Sequence, residues 1–230
     1  MKKHILNLIL IFSFSIINGQ TIKILYGEKI ELPQERIKNM TEAEKEFYKE
    51  HFFSLIYSGG KSIYYPISEL KDTTIKETRK IGDKVVPKKV IELKGVTEMQ
   101  VFIDYVKDML RIEMSFANKL YSIKDNTLKV DWQISNNSRK ILNYNCKFAS
   151  AIIYGNNVKV WFTDEIPALG VGPYIYGGLP GIILYLNYGD KKIYQAKKIM
   201  FLKEETIIKE PLARSNILTF KEYRKLVYGE

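Results

Sequence analysis

The chain has 230 residues, of which 46% are hydrophobic, 13% aromatic and 27% charged. That composition excludes a disordered, collagen-like or low-complexity polymer, and the length suits one large domain or two small ones. With 36 Lys and Arg against 26 Asp and Glu the net charge is +10, while two histidines and one cysteine are too few for a zinc site or for ordinary His- or Cys-based catalysis.

The chain opens with Lys2 and Lys3, then an apolar stretch over 5–17, then Gly19. The stretch is shorter than the roughly 20 apolar residues of a membrane-spanning helix. It predicts a secretory leader over 1–19, cut before Gln20, with 20–230 exported to periplasm or medium as one domain. No later stretch is apolar enough to span a bilayer. The lysines that remain alternate with acids, as in Lys197, Lys198, Lys203, Glu204 and Glu205. They predict a solvated basic face, with no nucleic-acid partner. Cys146 has no possible intrachain partner and sits between Tyr144 and Phe148, which predicts a buried thiol.

Residues 21–26 alternate and predict a first strand. Thr41 and Glu44 spell a capping box, which predicts a helix over 42–49. Residues 53–57 and 62–65 flank Gly59-Gly60 and predict a β-hairpin. The charged stretch 70–95 reads either as a mobile loop or as an edge hairpin. Alternation then predicts strands at 99–105, 110–116 and 120–123, with a turn at Asp125-Asn126. Hairpins follow around Gly155-Asn156-Asn157 and around Gly189-Asp190. Thr219 and Glu222 form a second capping box, with Phe220, Tyr223, Leu226 and Val227 on one face of a terminal helix. Successive hairpins without long intervening helices argue for an antiparallel sheet, and a sheet of eight or more strands tends to curl. The fold class predicted is α+β, mainly β: a strongly bent antiparallel sheet, an open half-barrel, with one or two short helices.

Catalytic signals are weak. His51 is the one histidine beyond the leader and reads as a partly exposed junction residue. Gly60-Lys61-Ser62 lacks the earlier glycine of a phosphate-binding loop, since position 55 is Leu55. Gly170 and Gly172 lack the third glycine of a dinucleotide fingerprint, since position 175 is Ile175. Asp164 and Glu165 are adjacent acids, but neighbours on a strand point to opposite faces. No catalytic residue, metal or cofactor is predicted.

One loop stands apart. Residues 167–181 hold five of the 14 glycines and three of the seven prolines. Such a segment follows a tight course without regular pairing, and Pro180-Gly181 suits the centre of a type II turn. It reads either as a binding loop, presenting Tyr174, Tyr176 and Leu179 around a cleft with Trp161, or as a packed corner redirecting the chain into the strand at Ile182.

Gly178-Leu179-Pro180-Gly181-Ile182-Ile183 resembles the signature hexapeptide of the GLPGLI family, secreted bacterial proteins of unassigned activity. Trp132, Tyr144, Cys146, Trp161, Glu165, Pro167, Gly172 and Pro173 fall where that family's pattern places equivalents. Asn137-Ser138, Asn143, Phe148 and Asn156 depart from it, mostly where charged residues are usual. The resemblance implies an exported envelope protein. The first expectation is a non-catalytic protein binding an apolar ligand, such as an acyl chain or peptide, or another envelope protein. The alternatives are an envelope-acting hydrolase using Glu165, and an assembly partner joined by sheet-edge pairing.

Overall fold

The structure is a computed structural model that describes residues 21–67, 73–81, 84–93, 96–166, 168 and 170–229. The leader expected at 1–19, and Pro167 of the motif, lie outside the described residues.

Strand β1 (Thr21–Ile30) leads into two short helices, α1 (Gln34–Lys38) and α2 (Glu42–Phe47). Next come the hairpin of β2 (His51–Ser58) and β3 (Lys61–Pro66) and the hairpin of β4 (Thr73–Ile81) and β5 (Lys84–Leu93). A meander follows, of β6 (Val96–Asp104), β7 (Met109–Phe116) and β8 (Lys119–Asp125). The chain then crosses to β9 (Gln133–Ile141), β10 (Tyr144–Ile153) and β11 (Asn156–Thr163). Beyond the glycine-rich loop lie β12 (Ile182–Tyr188), β13 (Lys192–Leu202), a two-residue β14 (Ile217–Leu218) and α3 (Phe220–Tyr228).

Twelve strands form one sheet in the order β14-β8-β7-β6-β3-β2-β1-β13-β12-β11-β10-β9, with β14 and β9 at its open edges. Its pairings are antiparallel except that β14 runs parallel to β8. The expected α+β, mainly β, open sheet is therefore the fold observed. The stretch read as loop or edge hairpin is a hairpin, but β4 and β5 make a sheet of their own. Helix α1 adds to the expected helices. It starts after Pro33 and buries no side chain, so no apolar periodicity announces it.

The sheet is bent. Eight strand intervals separate β7 from β10 in the sheet order, about 38 Å if flat at ~4.8 Å per strand. Yet Met114 of β7 and Tyr154, just past β10, line one cavity. Register shifts at Leu25/Tyr26, Lys147/Ala149 and Trp161/Phe162 supply local bends. The two-residue turns match strand twist with positive φ at both centres: Gly59-Gly60 (56° and 74°), Ala117-Asn118 (49° and 61°) and Tyr154-Gly155 (49° and 73°). The turn expected at residues 155–157 thus sits at Tyr154-Gly155, and Asn156 already belongs to β11.

Alternation sends Leu110, Ile112 and Met114 into the concave core and turns Arg111 and Glu113 to the convex face. Arg111 and Glu113 pair at 2.8 Å, buried beneath the segment 203–216. The Arg214 N–H donates to Glu113 Oε2 (3.1 Å) and Ser122 Oγ (2.9 Å), and the Thr206 N–H donates to Thr21 Oγ1 (2.8 Å). These bonds strap the segment across the convex face, from β13 in mid-sheet to β14 at the edge. Helix α3 then turns back over the concave side. Its start is fixed by the Thr219–Glu222 capping box and by the Phe220 N–H donating to Asp125 Oδ2 (3.0 Å).

Candidate ligand-binding site

The glycine-rich loop fills part of the concavity. The Gly170 N–H donates to the Leu179 carbonyl (2.8 Å), the Gly178 N–H to the Gly170 carbonyl (3.2 Å) and the Ile183 N–H to the Val171 carbonyl (2.9 Å). The Trp132 indole donates to the Gly177 carbonyl (2.8 Å), and the Tyr26 hydroxyl to the Ile183 carbonyl (2.6 Å). A Cβ at Gly177 would collide with the Gly170 carbonyl, and one at Gly181 with the Thr163 carbonyl, so both sites exclude side chains. At Pro180 the turn differs from the type II expected. The Leu179 carbonyl accepts from the Gly181 N–H two residues on (2.8 Å), and Gly181 has φ 156°. This is a γ-turn, tighter by one residue because the chain enters β12 at once.

The loop presents Tyr174, Ile175 and Tyr176 to a cavity of about 400 Å³ enclosed by the bent sheet and α3. Seven tyrosines line it: Tyr154, Tyr174, Tyr176, Tyr188, Tyr194, Tyr223 and Tyr228. Phe53, Met99 and Met114 complete the sheet wall, and Phe220, Tyr223, Arg224 and Tyr228 come from α3. Tyr176 lies 5.8 Å from Tyr188 and 6.2 Å from Tyr194 between ring centroids. Among the lining residues are four polar or charged side chains. Glu28 pairs with Lys192 (3.0 Å), Arg224 lies over the Tyr154 ring (4.1 Å), and Asn156 Nδ2 donates to the Tyr188 hydroxyl (2.9 Å). Burial pushes the phenols of Tyr174, Tyr176 and Tyr194 far above their ordinary range, and the nearby Glu28 carboxylate adds to this. They remain neutral hydroxyls that both donate and accept.

The four residues predicted to bind a ligand are not all brought together. Tyr174 and Tyr176 line the cavity. Leu179 is 2% exposed within the core. Trp161 is half-buried on the convex face, 5.3 Å from Phe148, with the Arg139 guanidinium between it (4.4 Å) and Tyr185 (4.7 Å). The bulge beside Trp161 leaves Phe162 facing inward.

Of the motif residues, Cys146, Gly172, Pro173, Ile182 and Ile183 are buried, and Tyr144 packs against the core. Burial pushes the Cys146 thiol up to about 11. Glu165 is exposed and accepts from Asn145 Nδ2 (2.6 Å), while Asp164 is exposed and paired with Lys147 (2.6 Å), which holds its carboxyl below the usual range. His51, expected partly exposed, is buried. Its Nε2 lies 2.9 Å from the Phe47 carbonyl, and it stands cross-strand from Glu28. Among the described residues no three His, Cys, Asp or Glu side chains stand together as a metal site, and no helix is long and apolar enough to cross a membrane.

Sequence reasoning missed most of the cavity: Glu28, Tyr154, Tyr188, Tyr194, Tyr223, Arg224 and Tyr228. The available signal was the 16 tyrosines of the chain, but they are scattered over elements that only the fold brings together.

The model of the family described as "N-glycanase peptide, N-terminal domain" matches residues 96–225, more than half of the chain. The chain belongs to this family of N-glycanase N-terminal domains. The match spans the whole motif stretch from Trp132 to Ile183, so the resemblance to the GLPGLI family is overturned. The physical reason lies in the motif. Its glycines and prolines, with Trp132, are what a tightly packed corner demands, and they discriminate poorly between families that build one. The N-glycanase-domain fold is also similar to two crystal structures of PNGF-II. One, in space group P21, has a TM-score of 0.57 at 18% identity, and the other, in C2, has 0.54 at 16%. Both likenesses cover 91% of this chain but 33% of the PNGF-II chain, so this chain spans about a third of their length. At such identities the likeness shows the fold alone. No curated protein matches the chain.

Proposed function

We propose that the protein is an exported, non-catalytic binding domain that takes a glycan into its tyrosine-lined cavity. The observation that carries this reading is the lining itself: seven phenol rings around about 400 Å³, together with Glu28, Asn156, Lys192 and Arg224. A pyranose ring has an apolar C–H face, which stacks on aromatic rings, and an edge of hydroxyls, which needs donors and acceptors. Tyrosine supplies both from one side chain. The acyl chain expected from the sequence fits less well, because it would strip water from phenol hydroxyls without replacing their hydrogen bonds. The family's naming for an N-glycanase supports the choice of glycan. The lysine-led apolar stretch over 1–19 supports export.

Calorimetric titration of the protein with free N-glycans and with N-acetylglucosamine tests the reading. Saturable binding is expected, weakened about tenfold in Tyr228→Ala, which removes an exposed ring of the cavity wall. A panel of such glycans that gives no heat and no saturation would reject it.

A further inference from the structure

The tyrosine cavity does not stand alone. A second cavity of about 200 Å³ shares Tyr154, Ile175 and Phe220 with it. A third, of about 330 Å³, shares Ile175, Thr127, Leu128 and Lys129 with the second. The second and third are both lined by the crossing segment between β8 and β9, and Ile175 is common to all three. From these shared walls we infer that they are consecutive subsites for one linear oligosaccharide, with the tyrosine cavity at one end; this rests on the glycan reading above.

The first cavity offers rings to stack on. The last sets polar groups beside Ile103, Tyr105, Leu128 and Val130. Asp108 Oδ1 accepts from the Lys129 ammonium (2.6 Å) and from the Thr127 hydroxyl, which positions a carboxylate, a hydroxyl and an ammonium in its wall. Gly178 presents main chain without a side chain there, and its exposed Cα lets a ring approach the backbone closely. An acyl chain would pack on the apolar residues at that end and leave the carboxylate, hydroxyl and ammonium unused. A single sugar would leave it empty. A linear oligosaccharide uses both ends and threads past Leu128 and Ile175 between them.

The test uses the intact protein and linear oligomers of N-acetylglucosamine from one to six units. The affinity should rise with length, by about tenfold or more between one unit and four, and then level off. Leu128→Trp fills the wall shared by the second and third cavities. It should bring the long oligomers down to the affinity of the single unit, with the thermal midpoint recording that the variant is folded. An affinity that does not change with length, or a length dependence that survives in folded Leu128→Trp, overturns the extended site and leaves the glycan reading standing. Absence of binding at every length overturns both.

Discussion

Trp132 donates its one indole hydrogen to Gly177, and that bond fastens the corner of the loop to the segment crossing between β8 and β9. Trp132→Phe keeps most of the ring and deletes the donor, leaving the buried Gly177 carbonyl without this partner. It should lower unfolding free energy by about 1–2 kcal/mol, read from urea denaturation. The glycines beside it belong to the same construction. Gly177 and Gly181 lie where another carbonyl occupies the place of a side chain, so their spacing in the sequence is the imprint of two close backbone approaches. For this reason the 167–181 segment announced itself as a special structure. The same residues misled on family, because they report a tight corner and not ancestry.

Local chemistry carries much of the secondary structure. Both capping boxes form, at Thr41 with Glu44 and at Thr219 with Glu222, and the Gly59-Gly60 turn has the left-handed backbone its spelling demands. Strand β9 gave no such signal. It is an edge strand with mostly exposed side chains, so no alternation marks it. The cavity was hidden for a different reason: its rings come from β2, β12, β13, α3, the glycine-rich loop and the β10–β11 turn, which no sequence window spans together. Helix α3 is the element on which the site depends most. Thr219→Ala removes the hydroxyl that accepts the Glu222 N–H. It should cost about 1 kcal/mol of stability. Because α3 supplies Phe220, Tyr223, Arg224 and Tyr228 to the cavity, ligand affinity should fall alongside, measured by the same titration in Thr219→Ala and the unchanged protein.

Across the whole molecule, tyrosine also sets the response to alkali. Tyr26, Tyr64 and Tyr194 are buried in the core, and burial raises their phenol pKa values far above the ordinary 10.0. In the unfolded chain they ionise near their ordinary value, whereas in the folded protein they hold their protons. Stability is therefore fully present below about pH 10 and is lost as pH climbs toward the folded values, at about 1.4 kcal/mol per pH unit for each phenol. Denaturant midpoints should be level from pH 7 to 9 and collapse above about pH 10. A midpoint that stays level from about pH 10 to about pH 12 would contradict this. Sheet order imposes a further condition, on assembly. The first strand zips against the thirteenth, Thr21 opposite Leu202, midway across the sheet. Closing so long a loop is entropically costly and slow. A nascent chain halted between β12 and β13 thus carries two fragments of sheet with no seam between them, and the barrel-like trough exists only once β13 has been made.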